Sequence, residues 1–109
     1  MIKNLTPHVV RVVAIDSDDV VAVLPPSGDV ARVAATFSDP TDLDGIPVRR
    51  RTFGAATGLP APVDGVFLVV SALVALAAWA QGRRDVLCPG DLVRDADGRP
   101  VGCRGLTGP

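Results

Sequence analysis

The chain has 109 residues, a length typical of one domain around one core. Its formal net charge is −1, which excludes the strong positive field that non-specific binding to nucleic acid or to an anionic membrane requires. All 12 acidic residues are aspartates and ten of the 11 basic residues are arginines, a usage typical of GC-rich coding. We therefore expect a high-GC bacterium, or a virus growing in one, as the source.

The first eight residues, MIKNLTPH, lack the apolar stretch of a signal peptide. The expected location is therefore the cytoplasm of the bacterial host, where both cysteines stay reduced. The longest apolar run, residues 66–80, has 15 residues, and a helix needs about 20 to cross a bilayer. We expect no membrane partner and interpret the run as a buried strand followed by a buried helix.

The first half of the chain predicts strands separated by turns. Residues 8–15 (HVVRVVAI) and 20–24 are β-branched and predict a hairpin across Asp16–Asp19. Residues 29–37 and 46–53 predict two further strands, with a polar loop over 38–45 between them. Glycines and prolines predict a second loop over 54–65.

The second half predicts a central strand, one helix and a final hairpin. The strand is expected over 66–70, and the helix over about 72–81, with Ser71 as N-cap and Gly82 just beyond its end. Asp97-Gly98 is a type I′ turn signal, which would place Asp95 opposite Pro100 and Leu92 opposite Cys103. The predicted class is α+β: a mostly antiparallel β-sheet with one apolar helix packed on it and a C-terminal β-hairpin.

The predicted helix is apolar on nearly every side, and helices of this kind are covered on most sides. In a domain this small the sheet covers one side only. We therefore expect a homo-oligomer in which a second subunit covers the other side.

No spacing of residues predicts catalysis or a bound metal. His8 is the only histidine, and neither Cys88 nor Cys103 begins a predicted helix, where its pKa would fall. One histidine and two distant cysteines do not form a zinc motif. The sequence therefore predicts a protein that is not an enzyme and needs no cofactor, with a small hydrolase acting through His8 kept as a minor alternative.

Arginines supply the best candidates for binding a small anion. In a strand, Arg49 and Arg51 of the run Arg49-Arg50-Arg51 would point to one face about 6.6 Å apart, and guanidinium groups suit phosphate or carboxylate. The candidate ligand-binding residues are His8, Arg49, Arg51, Ser71 and Arg94. The alternatives are an edge strand protected by charge, an ordinary helix cap at Ser71, surface pairing at Arg94 and a structural role for His8 in leading into the first strand.

Several short motifs, in a fixed order, carry a resemblance to a known family. They include Asn4-Leu-Thr-Pro-His8, residues 26–33 (PSGDVARV), Gly45-Ile-Pro-Val48, residues 69–74 (VVSALV) and residues 93–98 (VRDADG). In this order they resemble a family of small proteins of bacteriophages, prophages and bacterial genomes that begin with an NLTPH motif. Cys88 departs from the small or apolar residue expected before Pro89. The resemblance implies a virus-linked accessory protein and carries no catalytic residue with it.

Two functions follow from these expectations. The first is a non-enzymatic accessory protein that binds a small anionic ligand, as an oligomeric sponge that sequesters a nucleotide-like signalling molecule of host defence. This analogy rests on context, because other small phage proteins without enzymatic motifs act in this way. The second is a protein–protein interaction module that blocks or tethers a host or virion protein. No direct binding to nucleic acid is expected in either case.

Overall fold

The computed structural model describes all 109 residues and contains ten strands and one helix. In chain order these are β1 (Ile2–Asn4), β2 (Val10–Val13), β3 (Val20–Leu24), β4 (Arg32–Phe37), β5 (Thr41–Leu43), β6 (Ile46–Val48), β7 (Arg51–Thr57), β8 (Phe67–Val69), α1 (Ala72–Ala80), β9 (Val86–Arg94) and β10 (Pro100–Thr107).

Six strands form the main sheet, in the order β1-β8-β9-β10-β2-β3. The C-terminal hairpin β9–β10 and the β2–β3 hairpin are antiparallel, whereas β1–β8, β8–β9 and β10–β2 are parallel. Two antiparallel pairs, β4–β7 and β5–β6, lie outside this sheet. The predicted α+β class, with one helix and a C-terminal hairpin, is confirmed.

Helix α1 has the ends that the sequence predicts. The Ser71 hydroxyl accepts a hydrogen bond from the backbone N–H of Val74 at 3.5 Å. Gly82 has φ +85°, and the N–H groups of Gly82 and Arg83 donate to Trp79 and Ala78, which is a Schellman C-cap. At nine residues the helix is too short to cross a bilayer, and the structure contains no other helix.

The prediction is wrong in several places where strands are short or where pairing is long-range. Strand β1 was not predicted, because three residues carry no periodic pattern. The loop predicted over 38–45 contains β5, the strand predicted over 46–53 is interrupted at Arg49-Arg50, and β7 continues into the loop predicted over 54–65. The hairpin pairs Leu92 with Cys103 as predicted.

Pro100, however, pairs with Arg94 and not with Asp95. The reason is the turn geometry. Residues 96–98 form a three-residue loop with Gly98 at φ +78°, and the register shifts between Pro100 and Gly102.

The buried core is small and has two parts. Only 15 of 109 residues are buried. The larger cluster joins α1 to β8 and β9 through residues such as Val74, Ala78, Leu68 and Val86. The smaller cluster contains Val10, Val12, Val69 and Cys103. The two outermost strands, β1 and β3, contact each other, so the sheet curls on itself.

The β4–β7 ladder continues beyond the core as a two-stranded arm, defined here as residues 34–54 with the β5–β6 hairpin at its tip. Val33 and Ala56 still pack against the larger cluster. Beyond them, most residues of the arm are exposed. The radius of gyration is 16.5 Å, compared with about 13 Å for a compact chain of this length, so the chain is markedly extended.

The close approach of β9 and β10 within the curled sheet gives a stability prediction. A Cβ at Gly90 would collide with the carbonyl oxygen of Arg104, whereas a Cβ at Gly54 on β7 would lie 3.7 Å from the carbonyl oxygen of Ala34. We expect Gly90→Ala to lower the free energy of unfolding by about 1–3 kcal/mol, because one strand must shift.

Urea unfolding followed by circular dichroism measures this change. The matched control, Gly54→Ala, should change the stability by no more than about 1 kcal/mol. Equal effects of the two substitutions would contradict the close packing inferred at Gly90.

Candidate ligand groove beside His8

The turn Asn4–His8 is organised by the side chain of Asn4, the only polar residue in the buried set. Its Nδ2 donates to the carbonyl oxygens of His8 at 2.8 Å and Leu24 at 2.9 Å. Its Oδ1 accepts from the backbone N–H of Thr6 at 2.9 Å and from the Thr6 hydroxyl at 2.7 Å. Every donor and acceptor of the buried amide is therefore satisfied, as burial of a polar group requires.

The same turn connects separate parts of the fold. The N–H of Leu5 donates to the carbonyl of Val69 at the end of β8, and the carbonyl of Leu5 accepts from Ala31 just before the arm. The carbonyl of Asn4 accepts from Ser27 after β3. Because Asn4 also bonds Leu24, it links β1 and β3, the two outermost strands of the main sheet.

His8 leaves this turn at the edge of an open groove between β2, β9 and β10. The groove has a volume of about 500 Å³. Its wall is mostly apolar and includes the exposed side chains of Val9, Leu92 and Val101, with Cys103 buried beneath. The complete lining is His8, Val9, Val10, Arg11, Pro89, Leu92, Pro100, Val101, Gly102 and Cys103.

Arg11 brings the groove its only permanent positive charge. Its guanidinium takes part in none of the three salt bridges of the chain. Gly102 lies beside it on β10, where a Cβ would be 3.0 Å from the carbonyl oxygen of Arg11. The absence of a side chain at Gly102 therefore allows β10 to pack closely against β2 at Arg11.

Both thiols are free, and burial raises the pKa of each. For Cys88 the nearby Cys103 raises the pKa further, and for Cys103 a hydrogen bond from the backbone of Gly90 opposes the shift. A thiol whose pKa is raised is protonated at neutral pH and is a poor nucleophile. No group of three or more His, Cys or Asp side chains lies close enough to hold a metal ion.

The structure separates the five residues that the sequence predicts as ligand contacts. His8 lines the groove, and Ser71 lines a second cavity of about 270 Å³ at the base of the arm. Arg49 and Arg51 lie on the arm, where the Arg51 guanidinium stacks 4.5 Å from the centre of the Phe53 ring. Arg94 donates to the carbonyl of Gly98 at 2.8 Å and braces the hairpin turn.

The sequence alone does not single out Arg11. The available signal is a charged residue between valines. Arg11 is the only exposed residue of β2, and Val10, Val12 and Val13 are buried. In a single strand that pattern is also typical of an ordinary solvent-facing position. Only the neighbouring β9–β10 hairpin, which adds the apolar wall, distinguishes a groove from an open surface.

Comparison with known proteins finds no match for this chain among protein-family models, curated proteins or solved structures.

The buried amide of Asn4 gives a second stability prediction. We expect Asn4→Ala to lower the free energy of unfolding by about 2–4 kcal/mol, because the carbonyl groups of His8 and Leu24 both lose their donor. Urea unfolding measures the change. Gln81→Ala, which removes the only other side-chain amide from an exposed position, should change stability by about 0.5 kcal/mol or less. A small effect at Asn4 would show that the amide does not hold the turn.

The raised pKa values of the cysteines predict slow alkylation. Near neutral pH we expect iodoacetamide to modify Cys88 and Cys103 slowly in the folded protein and rapidly in urea, because folding buries the thiols and keeps them protonated. Mass spectrometry of the intact chain counts the adducts. Rapid modification of the folded protein at neutral pH would show that one thiol is accessible and ionised.

Proposed function

We propose that the protein binds a small amphipathic anion, such as a nucleotide, in the groove beside His8. The observation that carries this proposal is the combination of an apolar wall with an unpaired guanidinium at Arg11. A volume of about 500 Å³ lies within the range of small-molecule sites, which are mostly apolar with few polar groups. A base or another flat apolar group would contact Leu92 and Val101, and a phosphate or carboxylate would pair with Arg11.

A binding role is favoured over catalysis by the surroundings of the reactive side chains. Burial keeps the groove thiol protonated, as described above. The ring nitrogens of His8 have no hydrogen-bonded partner among the side-chain contacts of the turn, in which only its backbone takes part. A histidine that acts as a general base is normally oriented by a second group. His8 is better suited to contact a ligand at the edge of the groove.

The biological setting is proposed from the sequence resemblance alone. A phage-type accessory protein that sequesters a nucleotide-like signal of host defence would need affinity without turnover, and the groove offers binding groups of that kind.

The second candidate function is a protein–protein interaction module. It is favoured by the arm, which exposes Phe37, Leu43 and Ile46 to solvent.

Isothermal titration tests the ligand proposal. We expect one member of a panel of cyclic nucleotides and ADP-ribose derivatives to bind the full chain, and Arg11→Ala to weaken that binding at least tenfold through loss of a charge-assisted contact. The matched control is Arg84→Ala, which removes an exposed arginine outside the groove and should leave the affinity unchanged. Absence of heat with every ligand, or equal affinity of the two variants, would contradict the proposed site.

A further inference from the structure

The arm exposes apolar side chains that its own chain does not cover. Phe37, Leu43 and Ile46 have exposed fractions of 57 %, 60 % and 62 %. Leu43 and Ile46 are directly paired across the β5–β6 hairpin, so they form one apolar tip. A two-stranded hairpin without a covering layer is only marginally stable in water. The ordered arm therefore needs a surface that the single chain does not provide.

The chain exposes more surface than a compact monomer of the same mass would. The chain exposes 7245 Å², whereas a compact monomer of its mass, 11.2 kDa, exposes about 5,700 Å². The excess is about 1,500 Å², and a standard protein–protein interface buries about 800 Å² on each partner. The excess exposed area is thus enough for one standard interface and for most of a second.

The charges of the arm indicate what covers it. The outgoing side carries Asp39, Asp42 and Asp44, and the return side carries the run Arg49–Arg51. None of these six charges takes part in a salt bridge within the chain, whose three bridges are Lys3–Asp29, Arg83–Asp85 and Arg104–Asp18. Arg51 pairs with Phe37, whereas Asp42 pairs with Pro47 in the hairpin at the tip. The arm therefore has an acidic tip and a basic segment nearer the body, which complement each other when two arms lie antiparallel.

We propose that the arm is a homodimerisation element that packs antiparallel against the arm of a second copy of this chain around a two-fold axis. In an antiparallel pair related by a two-fold axis, the acidic tip of each arm lies beside the basic segment of the partner, so the same contact forms twice. In this arrangement Leu43 and Ile46 at the tip of each arm pack against apolar surface of the other copy. With a net charge of −1, two copies do not repel each other strongly.

Helix α1 extends the same surface towards the body of the molecule. Leu73 lines the cavity at the base of the arm together with Arg32 and Val33. Leu73 and Leu76 remain 46 % and 59 % exposed although the opposite face of the helix is buried. Leu73 therefore connects the exposed face of the helix with the cavity at the base of the arm.

Sedimentation equilibrium of the full chain tests the dimer. We expect a mass of twice 11.2 kDa at micromolar concentration, and at least tenfold weaker association for Leu43→Asp. The matched control is Leu92→Asp, which introduces the same charge at a strand residue of nearly equal exposure, 59 %, in the groove. The control should dimerise like the unmodified chain, and circular dichroism should show both variants folded, because neither residue belongs to the core clusters.

Two results would overturn the proposal. A monomer of the unmodified chain at every concentration would exclude a second copy as the partner of the arm. Equal dimerisation of Leu43→Asp and Leu92→Asp would show that the arm tip is not in the interface. Neither result bears on the ligand groove, because binding at Arg11 is measured by titration and does not depend on the arm.

Discussion

The small amount of surface that this chain can bury is the constraint on which the rest of its structure depends. Most of its apolar residues are valines and alanines, and only four side chains are aromatic. Each buried valine contributes roughly 1.5–2 kcal/mol and each alanine less. The free energy gained by burying 15 residues of this kind therefore exceeds the entropic cost of ordering 109 residues by only a small margin.

Specific polar contacts therefore define much of the fold. The buried amide of Asn4 fixes the first turn and joins the two outermost strands of the curled sheet. Arg104 on β10 has a similar role at the loop between β2 and β3. Its guanidinium donates to the carbonyls of Ala14 and Ser17 and pairs with Asp18. Arg83 joins the end of the helix to the carbonyl of Pro60 and to Asp85. These arginines have structural partners, which distinguishes them from Arg11.

Local features of the structure were predictable from the sequence. The helix ends follow from Ser71 and Gly82, whose capping chemistry acts within a few residues. The β2–β3 hairpin and the pairing of Leu92 with Cys103 follow from nearby turns. The parallel pairing of β1 with β8 was not predictable, because it joins residues more than 60 positions apart through a strand of three residues.

The candidate site was predictable only in part, for the same reason. His8 was identified because it is the only histidine, but the wall of its groove comes from β9 and β10, near the opposite end of the chain. The arginine run drew attention by its charge, and the structure places it on the arm, away from the groove. Nothing in residues 46–53 distinguishes a strand that leaves the body from one that packs on it, because both need the same β-branched and polar alternation.

In the proposed dimer, a second copy covers the arm that one chain leaves exposed. Urea unfolding at several protein concentrations tests this claim directly, since association with a second copy stabilises only the folded state. The unfolding midpoint should rise with concentration, with an apparent gain on the order of 2–3 kcal/mol for a hundredfold increase. A midpoint that does not change over that range would contradict the claim.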